Sequence, residues 1–456
     1  MSKKLKLQEV LQSLSKEELI DIIEEAARDD KVLERRIIVA YGGYEGQQEL
    51  HQFKKLLQAI VKQYQGRHGF IEYRQVGGFS NELLLLLNKA AATTNVLAAQ
   101  TMTMLILEEA VEAFQYADDS NGEVGAVVQE AIHALGDLTE RRESLSIAAQ
   151  YAMFDKLMVM CASKVFDDWD EFRLELLTIS ARFCGDQVLR EKLNAELLKW
   201  ASVWKKGDYS SYAYEHVLRL QYEVIGRYES EEAAERMLQS HLRLPIFREI
   251  AIAQAFEQKR YDYALQLASD GERKDRKLPG LVTKWKTLRY EAYRNLSMAR
   301  EQRQLARELL LEGDFNYYHE LKALTQEDRQ VVYRELKEEL RHSRDCTKAR
   351  LYVKLILEED DMEALLEHTR SHVSEIEEHA AKLARMYKPE VLEIYHSHIL
   401  KQASLTSNRK EYKKVTNLIK AFKAYAGQEG MERVVNELSG RYSSRPAFLD
   451  ELGKLK

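Results

Sequence analysis

The chain has 456 residues, 31% of them charged, and a formal net charge of −6, so no global field draws it towards polyanions. Only 20 glycines and 4 prolines are present, under half the usual share of roughly 12%, which excludes the turn-rich β architectures that depend on those residues. Alanine, leucine, glutamate, lysine, glutamine and arginine lose little on entering a helix, and they dominate here. The expected fold class is all-α.

In chain order, the opening MSKKLKLQEVLQSLSKEEL is basic but lacks a continuous apolar core, so it is not read as a signal peptide. Ser15-Lys-Glu-Glu18 is a capping-box pattern. It predicts a helix with Leu19, Ile22, Ile23, Ala26 and Ala27 on one face, stopped by Gly42-Gly43. A second helix follows from about Gln47 to Gln65. Gly66 to Phe79 carries four glycines and a β-like run, Phe70 to Tyr73, and is the least helical patch. One long apolar helix is expected from Asn81 to about Tyr116, broken by ADDSNGEVG at 117–125. The uncharged stretch Ala90 to Leu107 contains four threonines, an asparagine and a glutamine, and reads as a buried helix rather than a membrane span. A first domain, an N-terminal helical domain over 1–142, is expected to end there.

From 143 to 456 the pattern is helices separated by short charged turns. One turn type recurs at Lys206-Gly207-Asp208-Tyr209, Lys259-Arg260-Tyr261-Asp262-Tyr263, Glu312-Gly313-Asp314-Phe315 and Asp360-Asp361-Met362. Each holds an aspartate that can cap the next helix. Asp208, Asp262, Asp314 and Asp361 are 54, 52 and 47 residues apart, somewhat longer than a tetratricopeptide or HEAT unit. Glu249 to Glu272 reads like a tetratricopeptide hairpin in its alternation of small and bulky residues. A helical hairpin cannot bury its apolar face alone and must stack on neighbours. The expected architecture is therefore a helical-hairpin repeat array, an α-solenoid, behind an N-terminal helical domain; irregular helical packing is the alternative.

Several stretches resemble a known family. RHGFIEYRQVGGFSNEL at 67–83, EAVEAFQYADDSNGEVG at 109–125, NRKEYKKVTNLIKAF at 408–422 and RYSSRPAFLDELGKL at 441–455 resemble the helical region of bacterial SWIM zinc-finger proteins. In that family a zinc module with a CxC pair usually precedes the helical region. Here Cys161, Cys184 and Cys346 are far apart and odd in number, so neither that module nor a disulfide framework is expected, and a reducing cytoplasm is. The resemblance implies an interaction protein without catalytic activity, in a family sometimes encoded beside Swi/Snf-type helicases.

Chemistry-bearing motifs are missing. No GxxxxGK[ST], helix-opening GxGxxG, GxSxG, HExxH or HxE…PCxxC occurs, so no cofactor and no enzyme is expected. A catalytic site assembled from distant positions is the rival to that reading. His368, His372, Glu375 and His379 fall at i, i+4, i+7 and i+11, the nearest approach to a metal-ligand stripe; the reading adopted is a solvated polar face with no metal. Asp118-Asp119-Ser120-Asn121-Gly122 misplaces the glycine of a calcium loop and reads as a capped turn.

Charge is unevenly distributed. Thr101 to Glu140 holds nine acidic residues and no lysine or arginine. Lys259 to Arg307 holds thirteen basic and six acidic residues, interleaved with aromatics, and Lys401 to Tyr425 seven basic residues against Glu411. Lys284, Lys286, Arg289, Arg294, Arg409, Lys410, Lys413 and Lys414 are the candidate interaction surface. The function expected is a protein–protein interaction scaffold with another protein as partner and no membrane. The alternative is a nucleic-acid-associated protein acting through the two basic stretches, alongside a Swi/Snf-type helicase.

Overall fold

The computed structural model describes residues 7–44, 46–205, 211–325 and 329–455. Among them the chain is all-α, a run of helical hairpins with no extended strand. It divides into two compact units, Met1–Ile250 and Ala251–Lys456. The break expected near 142 falls inside the first unit, at a 3-10 turn, Arg141–Ser144. No described helix is long and apolar enough to cross a membrane.

The first unit contains α1 (Leu7–Ser13), α2 (Lys16–Asp29), α3 (Lys31–Tyr41), α4 (Gly46–Gln65), α5 (Tyr73–Ala91), α6 (Val96–Ala113) and α7 (Glu123–Glu140). It continues with α8 (Ile147–Cys161), α9 (Asp170–Ser180), α10 (Gln187–Trp204), α11 (Ser211–Tyr228), α12 (Glu231–Ser240) and the start of α13 (Pro245–Glu257). Ser15 and Glu18 form the capping box. The helix it opens stops at Asp30 rather than at Gly42, because the Asp30 carboxylate accepts from the amides of Val32 and Leu33 and starts α3. The long apolar helix also proves to be two. Asn95 caps α6 through the amides of Leu97 and Ala98, so Thr93 and Thr94 form a turn.

The β-like run yields a single parallel bridge, Ile71 to Ala117, and α5 begins already at Tyr73. Gly77 and Gly78 lie inside that helix. A Cβ at Gly77 would stand 3.1 Å from the Glu123 carboxylate, and one at Gly78 3.0 Å from the Tyr64 hydroxyl, so these glycines mark close approach rather than a helix break. Helix α6 is apolar on nearly every side and packs among α4, α5, α7 and α8. Two of its buried polar side chains donate to carbonyls: Gln100 to Met153 O of α8 (2.8 Å) and Thr103 to Ala99 O (2.9 Å).

The second unit contains the rest of α13, then α14 (Tyr261–Lys274), α15 (Pro279–Asn295), α16 (Ala299–Leu311), α17 (Asn316–Leu324) and α18 (Arg329–Arg341). It ends with α19 (Cys346–Glu358), α20 (Met362–Ser371), α21 (Ile376–Leu383), α22 (Lys388–Leu405), α23 (Arg409–Arg441) and α24 (Pro446–Gly453). Successive helices pack on one another around one continuous apolar core from Tyr290 to Leu452.

Three of the four recurrent turns are where expected, the fourth, at 206–209, lying outside the described residues, and a different device closes them. Lys259, Ser297, Gly313 and Asp360 take positive φ (57°, 57°, 120° and 50°). At each, the next amide reaches back five residues: Arg260 to Ala255 O, Met298 to Tyr293 O, Asp314 to Leu309 O and Asp361 to Ile356 O. This Schellman closure caps the carbonyl end of the outgoing helix. Of the aspartates, Asp361 caps α20 through the Ala364 amide. Asp314 accepts from Asn316 N, and Asp262 sits within the first turn of α14 without a cap bond. Asp208 lies outside the described residues.

The α19–α20 turn is held from two sides. Tyr318 (2.8 Å) and Lys322 (2.5 Å) of α17 donate to Glu359, while Tyr333 and Lys337 (2.6 Å) of α18 donate to Asp361. Tyrosine and lysine four apart lie on one helix face, so each pair delivers two donors to one carboxylate. Partial burial alone would raise both acids; the donated bonds bring Glu359 and Asp361 below their ordinary ranges.

Candidate interaction surface

Alternate helices α7, α9 and α11 of the first unit lie side by side, and three open hollows of about 280, 190 and 330 Å³ run along them. Thr178, exposed in the last turn of α9, borders all three, so they form one shallow groove. Its floor is aliphatic: Leu174, Ile179 and Leu220 are almost fully buried. Its rims are polar.

Arg173 fixes α9 in place. It is 1% exposed and points away from the groove's Thr178 edge into the layer formed by α8 and α10. Its guanidinium donates to Cys161 O (3.0 Å), Ser163 O (3.1 Å) and Asp167 (3.0 Å), and it lies 3.9 Å over the Trp200 ring. Every face of the group is thus occupied, as a buried cation requires.

On the rim, Glu171 and Glu175 stand one turn apart on α9. Partial burial, opposed by a bond from Gln129 and reinforced by Glu171, holds Glu175 above its ordinary range. Across the groove, His216 is pushed down by burial and then by the Arg219 charge. Its ring lies 4.1 Å from that of Tyr212, which is 65% exposed. Arg219 donates to Glu223 (2.8 Å), and Arg182 to Gly136 O (2.6 Å) with Glu140 at 2.8 Å. An aliphatic floor, paired charges and a protruding aromatic are the parts of a polypeptide-binding surface.

The histidine set does not form a stripe. The helix breaks at His372, so His368 and His379 turn inward. His368 Nε2 lies 2.8 Å from Glu375 Oε2 and His379 Nε2 3.8 Å from the same oxygen, while the His372 ring stacks on His368 at 4.3 Å. The solvated-face reading is therefore corrected for His368 and His379, whose side chains lie within the fold, while His372 stays exposed. Among the described residues no three histidine, cysteine, aspartate or glutamate side chains are arranged to hold a metal ion. His396 and His398 part as the spacing requires, the first paired with Glu437 (2.7 Å), the second buried. Burial pushes the Cys161 and Cys184 thiols up to about 12, which removes thiolate chemistry at neutral pH.

Several side chains of the basic stretches are consumed within the fold. Lys286 is buried, donating to Glu308 (2.6 Å) and Glu312 (2.5 Å), and so is not surface. Arg289 pairs with Glu272 (3.0 Å) and Arg294 with Glu291. Lys284 also has a partner. Trp285 and Tyr290 are buried and offer no stacking platform. Arg409 pairs with Glu451 (2.8 Å) and Asp450; bonds from Lys454 and Arg409 hold Glu451 down at about 2. Lys410, Lys413 and Lys414 are exposed on α23, Lys414 beside Glu411. The candidate surface thus splits into a spent majority and a short lysine cluster.

No family model and no curated protein matches the chain. Among solved structures it is similar to a circular tandem repeat protein with a novel repeat topology and enhanced subunit contact surfaces. That similarity is 13% identity over 93% of each chain at a TM-score of 0.18. A superposition this loose carries no argument about function.

Proposed function

We propose that the protein is a non-catalytic interaction scaffold of the cytoplasm, and that the α7–α9–α11 groove receives a segment of a partner protein. The observation that carries this reading is the groove's construction: three alternate helices supply a continuous aliphatic floor, and the rim charges are mostly paired. A partner chain can cover most of such a surface without burying an unpaired charge, Glu171 and Glu175 on the rim being the carboxylates it would have to pair. The family resemblance of the sequence supports an interaction role on separate grounds. Nucleic-acid binding is the less favoured reading, because Lys286, Arg289, Arg294 and Arg409, half of the basic side chains singled out for it, already have carboxylate partners.

A photo-crosslinking residue placed at Thr178 in living cells tests the proposal, with the same residue at exposed Glu191 of α10 as control. A discrete adduct from position 178, absent from position 191 and lost in Tyr212→Ala, is the expected result. Position 178 giving no adduct, or the same adducts as position 191, removes the groove from consideration.

A further inference from the structure

Helix α2 is amphipathic, with apolar residues at 19, 20, 22, 23, 26 and 27, and among the described residues its apolar face is only partly covered. Ile20, Ile22 and Ile23 are 44%, 46% and 47% exposed, and only Leu19 and Ala27 along that face are even half-buried. The neighbour against which α2 packs is α3. In stacked helical arrays, a helix with no neighbour on its outer side carries polar residues there, because an apolar outer face associates. Here the pattern is reversed.

The flanks of this face decide what covers it. Glu17, Glu18, Asp21, Glu24 and Glu25 line α2 against Lys16 and Arg28 alone. A second α2 would bring two acidic helices together, and an anionic lipid surface would be repelled. An apolar stripe at positions three and four apart accepts the ridges of another helix. We infer that α2 is a docking face for a basic amphipathic helix of a partner protein, whose apolar residues cover Ile20, Ile22 and Ile23 and whose lysines or arginines pair with the flanking carboxylates. This face is separate from the α7–α9–α11 groove and stands whether or not that groove has an occupant.

The test uses the full-length protein and two labelled helical peptides with the same leucine spacing, one with lysine and one with glutamate at the remaining positions, followed by fluorescence anisotropy. The lysine peptide is expected to bind at least tenfold more tightly than the glutamate peptide. Ile22→Asp with Ile23→Asp should weaken it at least tenfold, with helical circular dichroism unchanged. Glu24→Lys with Glu25→Lys should shift the preference towards the glutamate peptide, while Thr178→Arg leaves both affinities as they were. No binding of the lysine peptide, or binding indifferent to the α2 substitutions, overturns the inference. It is equally overturned if sedimentation shows a dimer that Ile22→Asp with Ile23→Asp dissolves, or if anionic vesicles, rather than the lysine peptide, are what α2 holds.

Discussion

Replacing Gly271 by alanine should destabilise the second unit, although alanine is the better helix former. Gly271 is buried inside α14, facing α15. A Cβ built there stands 2.8, 2.9 and 3.0 Å from Cδ2, Cε2 and Cγ of Trp285. The indole cannot swing aside. It is fully buried, and its Nε1 donates to Asp275 at 2.8 Å. Overpacking of this kind costs about 1–3 kcal/mol, while replacing glycine in a helix interior returns roughly 0.5–1 kcal/mol. The net expectation is a loss of about 1–2 kcal/mol, concentrated where α14 meets α15. Because the chain has two compact units, one global melting curve would blur the effect. Hydrogen exchange read by mass spectrometry on peptides from α14 and α15 gives the local opening free energy. In a Trp285→Leu background the penalty for Gly271→Ala should largely vanish, a coupling that a double-mutant cycle isolates. Protection in Gly271→Ala equal to or above that of the parent would refute the reasoning, as would a penalty that survives removal of the indole.

Other substitutions test other parts of the fold. Arg173→Leu removes the guanidinium bonds to the carbonyls of Cys161 and Ser163 and to Asp167; thermal and urea unfolding should show a loss of about 2–4 kcal/mol in the first unit, with Thr178 crosslinking reduced as α9 loosens. Lys286→Glu would bury a third carboxylate beside Glu308 and Glu312 at a cost of about 3–5 kcal/mol, so it should give unfolded or insoluble protein rather than a clean loss of any surface contact. Acid should weaken the second unit before the ordinary carboxylate range is reached. Burial lowers His379 below its ordinary value, opposed by Glu375 and Glu378 and assisted by His368 and Lys382; burial lowers His398 likewise, with Glu377 opposing and Lys401 assisting. The unfolded chain therefore binds protons first, and stability falls as pH drops below about 6.5. Urea midpoints between pH 7.5 and pH 5.5 should decline in the parent and decline less in His379→Gln with His398→Gln; equal slopes would discard the assignment.

The fold class was legible because it follows from composition: a chain so short of glycine and proline, and so rich in residues at ease in helices, has few alternatives. Boundaries were harder wherever one residue decides them. Asp30 and Asn95 each end one helix and start another by offering an oxygen to two amides, yet in a string of letters each is a single polar residue inside an apolar pattern. The turns at Lys259, Gly313 and Asp360 were found through neighbouring aspartates. What closes them is a left-handed residue, and only one of the three is glycine, so the usual signal was absent.

The candidate surface shows the same limit in its electrostatic form. Counting charge within a window makes Lys259–Arg307 look strongly basic, but Glu308, Glu312 and Glu339 reach back from later in the chain to Lys286 and Arg307. A helical array brings together residues 20 to 40 positions apart, so a window shorter than one hairpin counts cations without their anions. The reverse holds for the groove. Its walls come from alternate helices, and no stretch of sequence contains more than one of them. The α2 face escapes both limits because a single helix carries its apolar stripe and its flanking carboxylates together. The sequence shows that stripe, and only the structure shows how much of it stays exposed among the described residues.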